Sequence, residues 1–539
     1  MKTNFYASLS LRKHAFEMTR SVEWFDMIPA NRWNCFGKSD LMSGPRRNLL
    51  VLLFVTLILR LVWAACLETG QDEAYHWLYS VHPDWSYFDH PPMLMYVTKC
   101  GIALMGGWVH PLSIRLGFIL MFAGSTCVLF RWTARWYGEV AGFYAALALN
   151  LSAYYTAAAG AFVLPDGPLL FFSLLTMWRL GEALIGSPGR ILPWIWVGLA
   201  CAGAMLSKYH AVFLPLGAVA YIVATPSARF HLRTPGPYLA AAIGFLGLVP
   251  VLIWNSQHDW ASFGFQTARA VGATFQIRGL AVMIFGPMAL LLPWIWVPLV
   301  GILIGRVASF RSATGIDRLL LCQALLPLGL FTAVSCTRII LPHWPLIGFL
   351  ALYPMLGLNW ATRSVAEPVV VRRWLRFMVV FLVVVASAFV IQARFGVVRF
   401  PFRDPCIEIS GWESVARELN TRGLLDQPET FIFTNHWFDS GQIAFATRNR
   451  IPVACYREGD ARGFAYWSHP EDWVGKDGLL LDADDQAGLT EVYEPYFREI
   501  KELPPIEMTR GGRPLRTVRV YHCFGQLRPF PFAYERKSK

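Results

Sequence analysis

The sequence predicts a polytopic α-helical membrane protein with a small α/β or α+β domain at its C-terminus. Three observations lead there. Of 539 residues, 55% are apolar and only 16% are charged, against about 45–50% and about 25% in soluble chains. Apolar runs of spanning length recur between residues 49 and 392, each about 20 residues and so long enough to cross a hydrocarbon core of roughly 30 Å. After about residue 393 the chain turns polar and evenly charged, with 20 Lys/Arg against 21 Asp/Glu, and short alternating runs such as Thr430-Phe-Ile-Phe-Thr and Val518-Arg-Val-Tyr lie between turn-rich stretches.

In order, the first 47 residues carry Arg12, Lys13, Arg20, Arg32, Lys38, Arg46 and Arg47 without a long apolar core, which argues against a cleaved signal peptide and for a cytoplasmic tail over 1–47. Eleven candidate spans follow, approximately 49–67, 112–130, 139–159, 167–185, 191–207, 209–225, 237–254, 279–305, 318–335, 342–358 and 375–392. They define a multi-span body over 48–392 and leave 393–539 as the polar domain. With the N-terminus inside, the inner connections hold 12 Lys/Arg and the outer ones 5, the last being Lys99, Lys208, Arg269, Arg278 and Arg338. That bias is the one the positive-inside rule requires, and an odd number of spans places the C-terminal domain outside the cytoplasm. The net charge of +12 is thereby explained by topology, with no need for nucleic acid. The ten cysteines show neither a C-x-x-C pair nor zinc spacing.

Ionisable groups at a membrane boundary are expensive to desolvate and are commonly functional. The densest group lies in the first outer loop, Gln71-Asp72-Glu73-Ala74-Tyr75-His76-Trp77-Leu78-Tyr79, continuing to Asp84-Trp85-Ser86-Tyr87-Phe88-Asp89-His90-Pro91-Pro92. If 71–80 is helical, Asp72, Tyr75, His76 and Tyr79 share a face and Glu73 points about 100° away. One carboxylate then faces a site while its neighbour anchors the helix or shapes the entrance; an interfacial helix with aromatic-belt residues and capping acids accounts for the same pattern. Further outer positions are Asp166 in Leu164-Pro-Asp-Gly-Pro168, Lys208 between two apolar runs, His258 in Trp254-Asn-Ser-Gln-His-Asp-Trp260, and Arg338 followed by His343-Trp344-Pro345. As simple structure, Asp166 caps a helix, Lys208 snorkels and the histidines are satisfied locally. P-loop, Rossmann and H-E-x-x-H motifs are absent. Asp482-Ala-Asp484 superficially matches the acidic triplet of metal-dependent nucleotide-sugar enzymes but reads as a solvated loop. No metal ligand set or other cofactor emerges, although a divalent ion is compatible with the chemistry.

Asp72-Glu73-Ala-Tyr75, Trp85-x-Tyr87-Phe88-Asp89-His90-Pro91-Pro92, Pro165-Asp166-Gly-Pro168, Leu206-Ser207-Lys208-Tyr209, Trp254-Asn255-x-x-His258-x-Trp260-x-Ser262-Phe263, His343-Trp344-Pro345 and Phe438-Asp-Ser-Gly-Gln442-Ile-Ala-Phe445 occur in an order that resembles the bacterial glycosyltransferase family 39-like proteins. These group with the protein O-mannosyltransferases and the lipid A aminoarabinose transferases in the GT-C fold. The resemblance runs from about 48 to about 450. It implies a bacterial inner-membrane enzyme that moves a sugar from a polyprenyl (undecaprenyl) phosphate to an acceptor hydroxyl of a glycolipid, glycan or protein at the periplasmic face, by direct displacement with inversion.

An acceptor hydroxyl near neutral pH needs a positioned base, and the departing phosphate needs fixed cations. Asp72 is the expected base with Glu73 in support. Lys208 and Arg338, with His90 as a weaker candidate, face the phosphate, and Tyr75, Asp166, His258 and His343 complete the substrate-binding set. Two departures stand out. The aminoarabinose transferases carry arginine where this chain has Tyr75, and lysine where it has His90, which argues against the aminoarabinose donor or lipid A as acceptor. A secondary transporter of an envelope lipid or sugar is the main alternative; internal repeats and midplane charges, its usual marks, are not seen.

Overall fold

The computed structural model describes residues 44–270, 274–313, 315–401 and 404–531; all but the last four positions of the expected 1–47 tail lie outside them. The helical body runs α1 (Gly44–Cys66), α2 (Gln71–Val81), α3 (Met93–Leu104), α4 (Pro111–Tyr137), α5 (Glu139–Asn150), α6 (Asp166–Gly181), α7 (Leu192–Met205), α8 (Phe213–Ala224), α9 (Gly236–Leu246), α10 (Val249–Gln257), α11 (Ala261–Ala270), α12 (Ile277–Leu291), α13 (Pro293–Ala308), α14 (Gly315–Ser335), α15 (Tyr353–Ala366) and α16 (Pro368–Phe395). Among the described residues, five helices are long and apolar enough to cross a membrane, or up to seven if each of two bent pairs counts as one span.

The remaining expected spans form shorter or broken apolar helices, and proline explains the breaks. Thr225 precedes Pro226 and is extended, at φ −120° and ψ 97°, and the chain bends by 117° there. Leu292 precedes Pro293 and separates α12 from α13 at φ 72°. A residue before proline is driven out of the α region. The first outer loop also differs from expectation: it contains two helices, α2 and the apolar α3. The latter crosses α4 so closely that a Cβ on Gly101 would sit 2.3 Å from the Ser113 carbonyl. Near α5, a π-helical turn over Tyr155–Ala159 offsets the preceding helix.

Charge pairs mark two ends of the body. Arg46 meets Glu139, Arg135 meets Glu182 and Arg306 meets Asp317 at one end. Arg115 meets Glu73 and Lys208 meets Asp166 at the other. Arg115 and Arg135 both lie on α4, so the two layers are about 30 Å apart, the thickness of a hydrocarbon core. Between them α1 and α16 show apolar faces outward, with Phe54 68% and Val380 60% exposed.

The C-terminal region supplies α17 (Trp412–Thr421), β1 (Thr430–Thr434), α18 (Trp437–Ala446), β2 (Val453–Cys455), β3 (Asp477–Asp482), β4 (Phe497–Arg510) and β5 (Arg513–Gln526). The five strands form one sheet in the order β2-β1-β3-β5-β4. β1 pairs in parallel with β2 and β3, while β5 is antiparallel to β3 and β4. The sheet is thus a parallel α/β half joined to a long hairpin. α18 lies on α2, and Gly441 makes the contact: a Cβ there would be 3.0 Å from the Tyr75 backbone. One buried cluster includes Tyr75, Trp77 and Tyr79 from α2 together with Phe433, Phe445 and Tyr456, so the sheet domain and the helical body share a core at the end bearing Glu73 and Asp166.

Candidate active site

α2 starts at Gly70, with Asp72 and Glu73 in its first turn, where the helix dipole favours acids. The two carboxylates then part. Glu73 is buried. Its Oε1 accepts from Arg115 Nε at 2.8 Å and Val163 N at 3.0 Å, and its Oε2 accepts from Arg115 Nη2 at 2.6 Å and Gly70 N at 2.9 Å. Arg115 spends its other donors on the carbonyls of Ala64, Leu67 and Glu68. The ion pair is fully satisfied, as a buried pair must be, and Glu73 has no oxygen left for an acceptor proton. Its place in the fold is that of an anchor. Asp72 is exposed and accepts no hydrogen bond among the described residues, while its charge acts on Tyr154, Arg269 and Arg462.

Tyr75, His76 and Tyr79 do not share an open face with Asp72; all three are buried because α18 and residues 461–467 cover them. His76 donates from Nδ1 to the Val163 carbonyl at 2.8 Å, which fixes its tautomer. Tyr75 Oη accepts from Gly463 N at 3.0 Å and donates to Asp89 Oδ1 at 3.1 Å. Tyr79 donates to the same oxygen, and Arg462 Nη1 reaches Asp89 Oδ2 at 3.1 Å. Burial raises both tyrosines well above their ordinary range. Burial also pushes Asp89 up, but His90, Arg462 and His76 outweigh it and hold the carboxyl down at about 2. His90 is lowered to about 3, mainly by burial, so it is neutral at physiological pH and supplies no charge to a phosphate. Tyr75 accordingly positions Asp89 rather than touching substrate.

Beside this cluster a cavity is lined by Tyr154, Tyr155, Asp166, Lys208, His210 and His343, among others. Lys208 Nζ donates to both oxygens of Asp166, at 3.0 and 2.9 Å, so its charge is already spent on a carboxylate at the start of α6. His343 stacks on Tyr154 with centroids 5.6 Å apart. His258 is elsewhere: its Nδ1 donates to the Trp254 carbonyl at 2.7 Å, while Trp254 Nε1 donates to Asp84 Oδ2 at 3.0 Å. The Trp254–Asp84 bond joins the end of α10 to the segment after α2, and His258 lies outside the cavity lining. Arg338 is exposed on the rim and leans toward the Ala268 carbonyl at 3.4 Å.

Two arginines escaped sequence reasoning. Arg269, counted there only as a loop charge, donates no hydrogen bond among the described residues and lies over Phe265 at 5.1 Å and Trp344 at 5.8 Å. Arg462 comes from the sheet domain and stacks on Trp437 at 3.8 Å. Two sets of side chains could hold a metal ion by spacing, His76 with Asp89 and His90, and His436 with Asp439 and Asp484. Arg462 already occupies the first, and Arg516 lies 3.6 and 3.4 Å from the acids of the second.

Residues 89–254 match the family described as dolichyl-phosphate-mannose-protein mannosyltransferase. The chain is 30% identical over 224 residues to the lipid A galacturonosyltransferase RgtD of Rhizobium johnstonii, an alignment that covers 40% of this chain and 45% of that relative, so the match spans less than half of the relative's length. Among solved structures it is similar to ArnT from Cupriavidus metallidurans bound to undecaprenyl phosphate, at a TM-score of 0.59 and 17% identity over 88% of this chain and 97% of that one. The same protein in the apo state gives 0.59 and 16%, over 88% and 98%. At such identity the likeness is one of fold.

Proposed function

We propose that this chain, similar in fold to ArnT and in sequence to mannosyl- and galacturonosyltransferases, transfers a sugar from a polyprenyl phosphate, of the undecaprenyl kind, to an acceptor hydroxyl at the periplasmic face of the bacterial inner membrane. One observation carries this reading. Of two adjacent carboxylates, Glu73 is saturated by Arg115, while Asp72 is exposed and its charge acts on Arg269, at the end of the body where the sheet domain sits.

The acceptor oxygen attacks the anomeric carbon, its proton passes to Asp72, and the bond from that carbon to the phosphate oxygen breaks. The carrier leaves as polyprenyl phosphate with one more negative charge. Cations aimed at that charge stabilise the transition state, a role this reading gives to Arg269 and Arg338. Lys208 serves instead to orient Asp166 at the cavity wall. The inverting course follows from a single displacement. A glycolipid acceptor is supported by the relative that acts on lipid A, so the departures at Tyr75 and His90 do not weigh against lipid A. They bear on how the donor is held.

The test is release of undecaprenyl phosphate from a radiolabelled undecaprenyl-phosphate sugar by purified protein with envelope glycolipid as acceptor. Wild type releases the carrier and Asp72→Asn does not, at equal expression. Equal release by the variant would overturn the assignment of the base.

A further inference from the structure

The segment 461–467 of the C-terminal domain is tied into the buried cluster on α2. Tyr75 takes a hydrogen bond from Gly463 N, and Asp89, the neighbour of His90, pairs with Arg462. Arg462 is placed with care. Its backbone sits at φ 47°, a left-handed conformation that a long side chain rarely adopts and that persists only where the surroundings enforce it. Trp437 stacks under the guanidinium at 3.8 Å and fixes its plane.

That guanidinium is under-used. Of five N–H donors, only Nη1 makes a hydrogen bond among the described residues, to Asp89. Its Nε is buried and has no hydrogen-bond partner, although the Asp460 carboxylate is 3.5 Å away. The ring of Phe265, 5.8 Å from Arg462, also faces a second guanidinium, that of Arg269 at 5.1 Å, which makes no hydrogen bond among the described residues. Burial and the nearness of Arg462 both pull the Arg269 pKa down, against the opposing charges of Asp89, Asp460 and Asp72. Two cations facing one ring, with most of their donors unspent among the described residues, offer the charge-assisted N–H donors that a phosphate takes.

We infer that Arg462, contributed by the C-terminal domain, binds the phosphate of the lipid-linked donor together with Arg269. The inference rests on the donor reading above. It makes the sheet domain part of the donor site, with Asp89, Tyr75 and Tyr79 positioning the arginine.

The experiment uses the full-length protein in nanodiscs and two probes with the same tail, undecaprenyl phosphate and undecaprenol. Arg462→Gln weakens binding of the phosphate roughly 10–100-fold, the loss of charge-assisted hydrogen bonds, and leaves undecaprenol unchanged. Because Arg462→Gln strands Asp89, the double variant Asp89→Asn/Arg462→Gln is measured beside it, with a thermal midpoint for each. A double variant still weak for the phosphate supports the inference. A double variant that binds like wild type shows that Arg462 merely neutralises Asp89 and overturns it, as does an equal loss for undecaprenol. Wild type that does not prefer the phosphate to the alcohol overturns the donor reading itself, with this inference following it.

Discussion

The two ends of the helical body solve the same electrostatic problem in opposite ways. At the end bearing Arg46 and Arg135 two of the three pairs have exposed arginines, Arg46 at 62% and Arg135 at 54%, while Arg306 meets a buried Asp317. At the other end Arg115 is 1% and Lys208 7% accessible, and Asp89 is buried against Arg462. Exposed pairs contribute about 0–1 kcal/mol. Buried ones survive only when nearly every donor and acceptor is matched. The contrast teaches that charge at the first end follows topology, whereas charge at the second is assembled for a task, with Asp72, Arg269 and part of Arg462 left over for a ligand.

The comparison can be broken at several points. The largest expected effect is on turnover: Asp72→Asn lowers it about 10²–10⁴-fold, the usual contribution of a positioned base, with no change in thermal midpoint. Next, Glu73→Gln leaves Arg115 buried without its counter-charge and destabilises the fold by about 3–5 kcal/mol, read from unfolding in detergent; an unchanged midpoint would refute its anchoring role. Acid comes third. His90, lowered to about 3 in the folded chain, is protonated in the unfolded chain near pH 6.5. Stability therefore falls by about 1.4 kcal/mol per pH unit below that point, and His90→Asn flattens the slope. Asp89, depressed to about 2, adds a loss of the same sign as pH drops through its unfolded value toward the folded one. The smallest effect belongs to the exposed end, where Glu182→Gln shifts stability by less than about 1 kcal/mol.

Much of this was legible in the residues. The 100° separation of Asp72 and Glu73 follows from helical periodicity alone, and their division into open and anchored carboxylates follows with it. What covers Tyr75, His76 and Tyr79 was not legible, because Gly441 and Gly463 lie more than 360 residues downstream and local periodicity carries no such pairing. Arg115 was hidden inside an apolar run that reads as a uniform span, and its carboxylate partner is on another helix. Met93–Leu104 was read as loop because twelve residues are too few to span. The breaks at Pro226 and Pro293 had a visible signal, but an apolar run of adequate length outvotes a single proline when spans are counted by hydrophobicity.

The absent side chain at Gly441 reaches beyond packing. Because α18 rests directly on the backbone of the helix that bears Asp72, exchange of sheet domains between related proteins will produce working chimaeras only when the segment 71–81 travels with its own lid, and a graft that separates them should yield a protein that inserts normally yet misplaces its nucleophile-activating carboxylate.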